Sequence, residues 1–288
     1  MFPKTLLVAI AFLALVSMAC GVTIDLPGKD INVGPTQTDE IFVPPIDTAD
    51  SVDVSIAFGA GELNIQPGAD QALIEGTAVY NVKNFKPNII VSGNEVRLEM
   101  SELEIKGIPN FSDNYRNEWD LKLGDQLMDL TIGAGAYQGK YDFGGLALNS
   151  LHISDGAAQV EVSFSAPNPA EMDSLRYDTG FSNVELRDLA NSNAETVVFK
   201  SGAGDYTLDF SGDLQRDMDV TIDTGFSSVK IIVPPGVSAR VLFEGGFSNV
   251  DVRGDWEKSG GEYTNPGEGP EITINVNAGA GNLELRNR

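Results

Sequence analysis

A short glycine corner that recurs at a near-constant interval constrains the fold of this chain more than any other feature. Between Gly133 and Gly246 the corners are 21 to 24 residues apart, and most of them read Gly-Ala-Gly or Gly-Phe-Ser. A fixed period of this length is typical of stacked repeat architectures. Glycine at a corner permits positive φ and lets neighbouring backbones approach closely. The corners begin at Gly59, Gly133, Gly156, Gly180, Gly202, Gly225, Gly246 and Gly279.

Apolar side chains alternate on both sides of each corner. Positions are counted from the first glycine of each corner. The residues five and three positions before that glycine, and four and six positions after it, are apolar or aromatic in every repeat except for Gly139. This alternation predicts two short strands per repeat, each with one buried face. One such unit cannot bury its own apolar face, whereas stacked units share a continuous core. The sequence therefore predicts an all-β fold, a single-stranded parallel β-solenoid with two-strand rungs of about 22 residues.

The repeat is regular in only part of the chain. We predict a β-solenoid domain over residues 51–288, with regular rungs over residues 124–288. Residues 51–123 are predicted to form a modified N-terminal cap region, because strands are expected there but the glycine period lapses. A glycine-rich interruption at residues 254–270 predicts an inserted loop or hairpin before the last rung.

The chain is strongly acidic, with 42 acidic side chains against 19 basic ones and a formal net charge of −23. Such a charge repels phosphate backbones and anionic lipid headgroups, so we predict no nucleic-acid partner. Solubility is the favoured interpretation of the acidity, and cation binding and basic partners are the alternatives. One outward row of the predicted rungs sets Lys200 between Asp178 and Asp223, which supports the register of the stack.

The first twenty residues are predicted to direct the protein out of the cytoplasm. Lys4 precedes an apolar run, residues 6–16, that is too short to span a bilayer, so residues 1–19 read as a signal peptide. The run ends in LVSMAC, which resembles the bacterial lipobox, so Cys20 is predicted to carry a lipid that anchors the chain to a membrane. The alternative is a secretory signal with an incidental cysteine, although Cys20 is the only cysteine. Residues 20–50, rich in proline, are predicted to be a flexible tether, which places the protein in the cell envelope, extracytoplasmic and lipid-anchored.

Three segments carry a family resemblance. Residues 119–123 (WDLKL), residues 129–135 (DLTIGAG) and residues 146–153, followed by the successive glycine corners, resemble the bacterial toast-rack group of envelope proteins. The resemblance covers most of residues 50–288, and similar corners occur in the head domains of adhesin-type proteins. Relatives include the C-terminal domain of proteins that modulate cell-wall antibiotic stress responses. The resemblance therefore implies a scaffold or interaction role at the envelope and brings no catalytic residues.

Three sets of residues carry chemistry that a catalytic or metal site could use. The Gly-x-Gly corners lead into strands, whereas a dinucleotide site needs a helix after the glycines. His152, the sole histidine, is expected on an outward strand face between Asp129 and Arg176, without the further ligands or nucleophile that zinc or triad chemistry requires. Acidic pairs are attributed to chance in an acidic chain, with calcium binding or acid–base work as alternatives. We predict no catalytic residue, no metal site and no cofactor. The acidic pairs are Asp205 with Asp209, Asp217 with Asp219, and Asp50 with Asp53.

Phe181, Phe226 and Phe247 follow a corner glycine where other repeats have alanine. They would either form an exposed aromatic stripe that binds glycans or a protein, or alternate with alanine to fill the interior of the corner, and the interior placement is favoured. The leading hypothesis is a noncatalytic, surface-anchored scaffold or adhesion module with an envelope protein or a glycan as partner. A regulatory component of envelope-stress sensing is the first alternative, and a carbohydrate-active β-helix enzyme is the second.

Overall fold

Long strands stack side by side in one 15-stranded sheet, and the repeats of the sequence form its central part. The computed structural model describes residues 33–47, 51–100 and 115–287. Regular structure in these ranges is strand apart from two short 3₁₀ helices, so the all-β prediction is confirmed. The predicted signal peptide, residues 1–19, and the predicted lipid attachment at Cys20 lie outside the described residues.

The described strands are numbered in chain order, and the two 3₁₀ helices follow β3 and β9 at Lys83–Phe85 and Leu189–Ser192. The strands are β1 (Gln37–Val43), β2 (Val52–Pro67), β3 (Ile74–Tyr80), β4 (Pro87–Ser92), β5 (Glu95–Met100), β6 (Asn117–Leu123), β7 (Met128–Asp142), β8 (Leu148–Ser163), β9 (Met172–Arg187), β10 (Ala194–Asp209), β11 (Met218–Val233), β12 (Gly236–Arg253), β13 (Glu257–Ser259), β14 (Glu262–Asn265) and β15 (Gly267–Asn287).

The central strands run parallel, in the order β2-β7-β8-β9-β10-β11-β15-β12. Parallel neighbours joined by a returning chain are the arrangement of a β-solenoid-like coil, which confirms the predicted fold class. Next to β2, the strand β5 pairs with its first half and β6 with its second half. Antiparallel strands cover both ends of the sheet: β3 and β1 lie beyond β6, and β14 and β13 lie beyond β12.

Each rung is one bent strand rather than the two strands predicted. In β11 every second residue is buried up to Thr224, and the buried set resumes at Ser227, so the alternation changes phase between them. We call the residues before this bend the first limb and those after it the second limb. Phe199 of a first limb packs on Tyr206 of a second limb, with 5.0 Å between ring centroids. The two limbs therefore enclose one core between them.

One glycine from every rung lies at the bend, against the glycine of the neighbouring rung. A Cβ built on Gly202 would lie 2.7 Å from the carbonyl oxygen of Gly180, and the other glycines after the first are within 3.1 Å of the equivalent oxygen. No side chain fits there unless the strands separate. Positive φ is found two residues later in some rungs, as at Gly204, so the stacked position needs close approach alone. These residues, the glycine stack, are in sheet order Gly59, Gly135, Gly156, Gly180, Gly202, Gly225, Gly279 and Gly246.

The observed register of β7 differs from the prediction by two residues. Gly135, rather than Gly133, lies against Gly59, and a Cβ built on Gly133 has nothing within 4 Å. The local sequence is Gly-Ala-Gly-Ala, and both glycines fit the corner motif. The motif alone therefore could not show which glycine lies at the bend, and the prediction took the wrong one. A shift of two residues leaves every side chain on the same face of the strand, so the buried faces of β7 do not distinguish the two registers.

The packing around Gly139 explains the one gap in the apolar pattern. Gly139 occupies a second-limb position at which neighbouring rungs place Leu63 and Val160. A Cβ on Gly139 would lie 2.7 Å from the ring of Tyr137 and 3.1 Å from the ring of Tyr141. Two tyrosine rings therefore fill the space that an aliphatic side chain fills in the other rungs.

The last strand in sequence is not the last in the sheet, because β15 lies between β11 and β12. The sequential stacking implied by the predicted solenoid is therefore wrong at this point: Asp223 of β11 pairs with Asn277 of β15, and Asn277 pairs with Glu244 of β12. The predicted insertion at residues 254–270 contains an antiparallel hairpin, β13 with β14, and β14 pairs with β12.

The tether predicted for residues 20–50 is too long. Gln37–Val43 forms β1, which pairs antiparallel with β3, and Ile41 and Val43 are buried. The two prolines that follow end this strand without preventing it, because proline is tolerated at the margins of a sheet. Any tether can therefore include only residues that precede this strand.

Substitution in the glycine stack tests the register. We expect Gly202→Ala to lower the free energy of unfolding by about 1–3 kcal/mol, because the new Cβ forces two strands apart. Gly133→Ala, the matched control in the same type of motif, should change it by less than about 0.5 kcal/mol, since nothing lies near its Cβ. Urea denaturation followed by circular dichroism measures both values, and equal losses would contradict the observed register.

Candidate functional site

From β7 to β11 the residue that follows the glycine stack points outward, and these residues form a row across the strands, whereas Ala60 at the same place in β2 is buried. In this row Ala203 of β10 pairs with Phe181 of β9 on one side and with Phe226 of β11 on the other. Phe181 and Phe226 are 75% and 74% exposed, the highest values among the large apolar side chains of the described residues. We call Phe181, Ala203 and Phe226 the phenylalanine ridge.

The interior placement favoured for the corner phenylalanines is wrong for Phe181 and Phe226. The inward positions at the bend of β9 belong to Thr179 and Ser182, which are buried, and the change of phase between them leaves Phe181 outside. Phe226 is outside for the same reason in β11. The third predicted residue, Phe247, pairs with Gly281 after a register shift, so its backbone is displaced from the row.

A buried carboxylate holds the bend that presents Phe181. Asp155 of β8 accepts hydrogen bonds from the hydroxyl of Tyr177 at 2.6 Å, from Ser182 Oγ at 3.2 Å and from Thr179 Oγ1. Thr179 and Ser182 bracket the corner, so these bonds fix the residues on both sides of Phe181. This role of Asp155 was not predicted from the sequence. A signal was present, because Asp155 precedes its corner glycine at a position where three other rungs carry the hydroxyl side chains of Thr179, Ser201 and Thr224.

Tyrosine hydroxyls complete this buried cluster. Tyr137 donates to Asp155 at 3.3 Å, and the ring of Tyr141 lies against the ring of Tyr137 with 6.4 Å between centroids. Burial raises the pKa of Tyr177 well above that of a free phenol, and the nearby charge of Asp155 raises it further. Burial and then Asp155 likewise raise the pKa of Tyr137. The phenols therefore stay protonated and remain donors to the carboxylate.

Polar side chains flank the ridge on both limbs. On the first limb Lys200 pairs in register with Asp178 and Asp223, as predicted, and its Nζ lies 3.8 Å from Asp223 Oδ2. His152 places Nε2 3.0 Å from Asp178 Oδ2, and its neighbour on one side is Arg176 as predicted. Its neighbour on the other side is Thr131 rather than the predicted Asp129, because of the shift in β7.

Partial burial raises the pKa of Asp178, but hydrogen bonds from Arg176 and His152 outweigh it, so the pKa lies below its usual value. Asp178 therefore stays ionised beside its two partners. His152 has the surface placement predicted for it, with its side chain 43% exposed and bonded to a carboxylate.

The acidic pairs from the sequence are separate surface groups. Asp209 accepts a hydrogen bond from its neighbour Ser211, and Asp217 accepts one from the backbone of Glu271 at 2.9 Å. Asp53 accepts one from Asn94 at 3.2 Å, whereas Asp50 lies outside the described residues. Within the described ranges no three histidine, cysteine or carboxylate groups come together in a way that would hold a metal ion.

A polar groove runs across the outer face of the second limbs. It includes a cavity of about 400 Å³ and a neighbouring one of about 700 Å³, which share Asn64 and Lys140. Some of its charges are paired, as where Arg187 contacts Glu161 at 2.7 Å and Glu185 at 2.8 Å. The ridge, with its unpartnered apolar side chains, is therefore the stronger candidate for a contact surface.

Alkaline titration tests the buried cluster. Because Tyr137, Tyr141 and Tyr177 have raised pKa values in the folded state, the unfolded chain ionises first, at about pH 10. We expect the free energy of unfolding to be unaffected below that pH and to fall as the pH rises above it. Denaturation from about pH 8 to 11, with tyrosinate absorbance, measures this, and Tyr177→Phe should reduce the slope. Full tyrosinate absorbance in a chain that remains folded would contradict the burial.

Comparison with known proteins agrees with the architecture. The family described as the N-terminal domain of toast_rack, DUF2154, matches residues 32–187 and 168–232. A crystal structure of a candidate cell adhesion protein from Clostridium sporogenes superposes with a TM-score of 0.52 at 20% identity, over 88% of this chain and 100% of that one. A candidate adhesin from Bacteroides fragilis covers 90% of this chain and 100% of its own, at 12% identity and a TM-score of 0.38. The Clostridium sporogenes likeness concerns the fold alone.

No curated protein has a sequence that matches this chain. In the described ranges none of the helices has the length and hydropathy of a membrane span. The family match extends over more than half of the chain and includes the glycine stack from its first member to Gly225. The chain therefore belongs to the toast-rack family.

Proposed function

We propose that this protein is a noncatalytic binding module of the cell envelope, lipid-anchored through Cys20 on the extracytoplasmic side of a membrane, and that the phenylalanine ridge contacts its partner. The observation that carries the proposal is the exposure of Phe181 and Phe226 at 75% and 74%, in one row of the sheet with Ala203 between them. An envelope protein or a glycan is the partner class.

The energetics favour a contact at the ridge. Burying one phenylalanine side chain is worth roughly 1.5–3 kcal/mol relative to leaving it in water, so two on one row supply a substantial part of a binding free energy. The glycine stack and the Asp155 hydrogen bonds hold the backbone of this row in place before any partner arrives. A preorganised surface loses little conformational entropy on binding, which strengthens the contact.

The net charge and the N-terminal sequence support the proposed location and limit the class of partner. The net charge of −23 favours a neutral or basic partner over nucleic acid or an anionic lipid surface. The apolar run before Cys20 supports export and lipidation. The structural neighbour from Clostridium sporogenes is named for cell adhesion, which agrees with a surface binding role.

Variants of the ridge test the contact. We expect Phe181→Ser combined with Phe226→Ser to weaken binding of the purified protein to isolated cell envelopes by at least about 10-fold, because two apolar contacts are lost. Phe42→Ser is the matched control, since Phe42 is 58% exposed but lies away from the ridge, on β1, where it lines the larger cavity of the groove. Co-sedimentation with envelopes measures the binding. Wild-type binding by the double variant would contradict the proposal, and a loss with Phe42→Ser alone would move the contact to the groove.

The anchor has a separate test. Cys20→Ser removes the only thiol that could carry a lipid, so we expect the variant to leave the membrane fraction for the soluble one. Cell fractionation with immunodetection measures the partition, and Thr36→Ala, which lies outside the lipobox-like segment, serves as the control that keeps the thiol. Retention of the Cys20→Ser variant in the membrane would contradict lipid anchoring at this residue.

A further inference from the structure

The periodicity of the ridge leads from the proposed function to a class of ligand. We propose that the phenylalanine ridge binds a β-1,4-linked hexose polymer, with one sugar ring on Phe181 and a second ring, two sugars further along, on Phe226. The inference rests on the proposed function, in which the ridge is the contact surface.

The two aromatic side chains of the ridge have a defined spacing. Ala203 pairs with both Phe181 and Phe226, so the phenylalanines lie two strands apart, which corresponds to about 9.6 Å between their backbones. Only the methyl group of Ala203 lies between them in the row. The ridge thus presents two aromatic side chains at a fixed interval, with a shallow notch between them.

The geometry of a β-1,4-linked hexose chain matches this spacing. In a β-1,4-linked hexose chain each sugar is turned by half a revolution relative to the one before it, so every second ring presents the same face. That face carries axial C–H groups and stacks on aromatic rings, whose faces are electron-rich. The length of two sugars in such an extended chain is close to the separation of two strands that are not adjacent, about 9.6 Å. An α-1,4-linked chain curves and does not keep this interval.

The ridge also has a polar border. The sugar hydroxyls lie at the ring edges and need hydrogen-bond partners there. On the second limb the outward row beside the ridge holds Asn183, Asp205 and Ser228, which are exposed and whose side chains make no hydrogen bond within the described part of the chain. The amide of Asn183 and the hydroxyl of Ser228 can both donate to and accept from sugar hydroxyls, and the carboxylate of Asp205 can accept from them.

A second copy of the chain is a weaker candidate for the same surface. Two phenylalanines from each copy, at about 200 Å² each, would bury well under the 1,200 Å² or so typical of a stable interface. Each copy also carries a net charge of −23, which opposes self-association. A neutral glycan avoids both problems.

Titration with defined oligosaccharides tests the inference. We expect chitohexaose or cellohexaose to bind the purified protein, and maltohexaose to bind it at least about 10-fold more weakly. Calorimetry and chemical shifts measure the affinities. Phe181→Ala and Phe226→Ala should each lower the affinity for the β-linked probe about 10-fold, whereas Phe42→Ala should not. Denaturation curves confirm that each variant is folded, which is expected because these side chains are exposed.

The interval itself can be tested by adding an aromatic side chain. Ala136 lies in the same row two strands before Phe181, and Ala157 lies one strand before it, both exposed. We expect Ala136→Phe to raise the affinity for the β-linked hexasaccharide severalfold, because a third ring is in step with the glycan. Ala157→Phe, which is out of step, should give no gain.

Failure of the ligand class and failure of the proposed function give different results. If neither β-linked probe binds while the double serine variant still loses envelope binding, the inference is overturned and the ridge contacts another partner. If envelope binding is also unchanged, both are overturned. Concentration-dependent dimers that disappear with Phe181→Ala would show a second copy on the ridge and overturn the inference as well. Equal gains from Ala136→Phe and Ala157→Phe would overturn the matched interval.

Discussion

The rest of the structure depends on the close backbone approach within the glycine stack. At this position each strand bends while it stays paired with both neighbours, which requires that no side chain occupy the space between successive carbonyl groups. The bend lets one strand of about 16 residues supply both limbs that enclose the core. It also moves the next residue to the outer surface. The core and the ridge therefore have the same physical origin.

The sequence was sufficient for the all-β class, the parallel stacking and the buried faces, because these follow from a period-2 apolar pattern around a repeated corner. It was insufficient where a local motif had two equivalent positions, as at Gly133 and Gly135, since only the pairing with β2 distinguishes them. The strand at Gln37–Val43 escaped notice because it is short, lies before two prolines and finds its partner only when β3 is in place.

The position of Phe181 shows why the candidate site was harder to predict than the fold. Extrapolating the alternation of the first limb places Phe181 inward, whereas extrapolating that of the second limb places it outward. The two limbs are out of phase by one residue, and the phase changes at the corner itself. The apolar pattern of the sequence is therefore consistent with either orientation of Phe181. Asp155 was missed for a related reason, because its hydroxyl donors come from the neighbouring strand and are not adjacent in sequence.

The insertion of β15 between β11 and β12 sets an order of events during synthesis. When β12 leaves the ribosome, its parallel partner β15, which separates it from β11, is still to be made. Until β15 arrives, the growing chain has an open parallel edge on β11, and open edges of this kind pair readily with other chains. Ribosome pausing or a chaperone that holds this intermediate would thus affect the yield of folded protein most strongly over the stretch from residue 236 to residue 287.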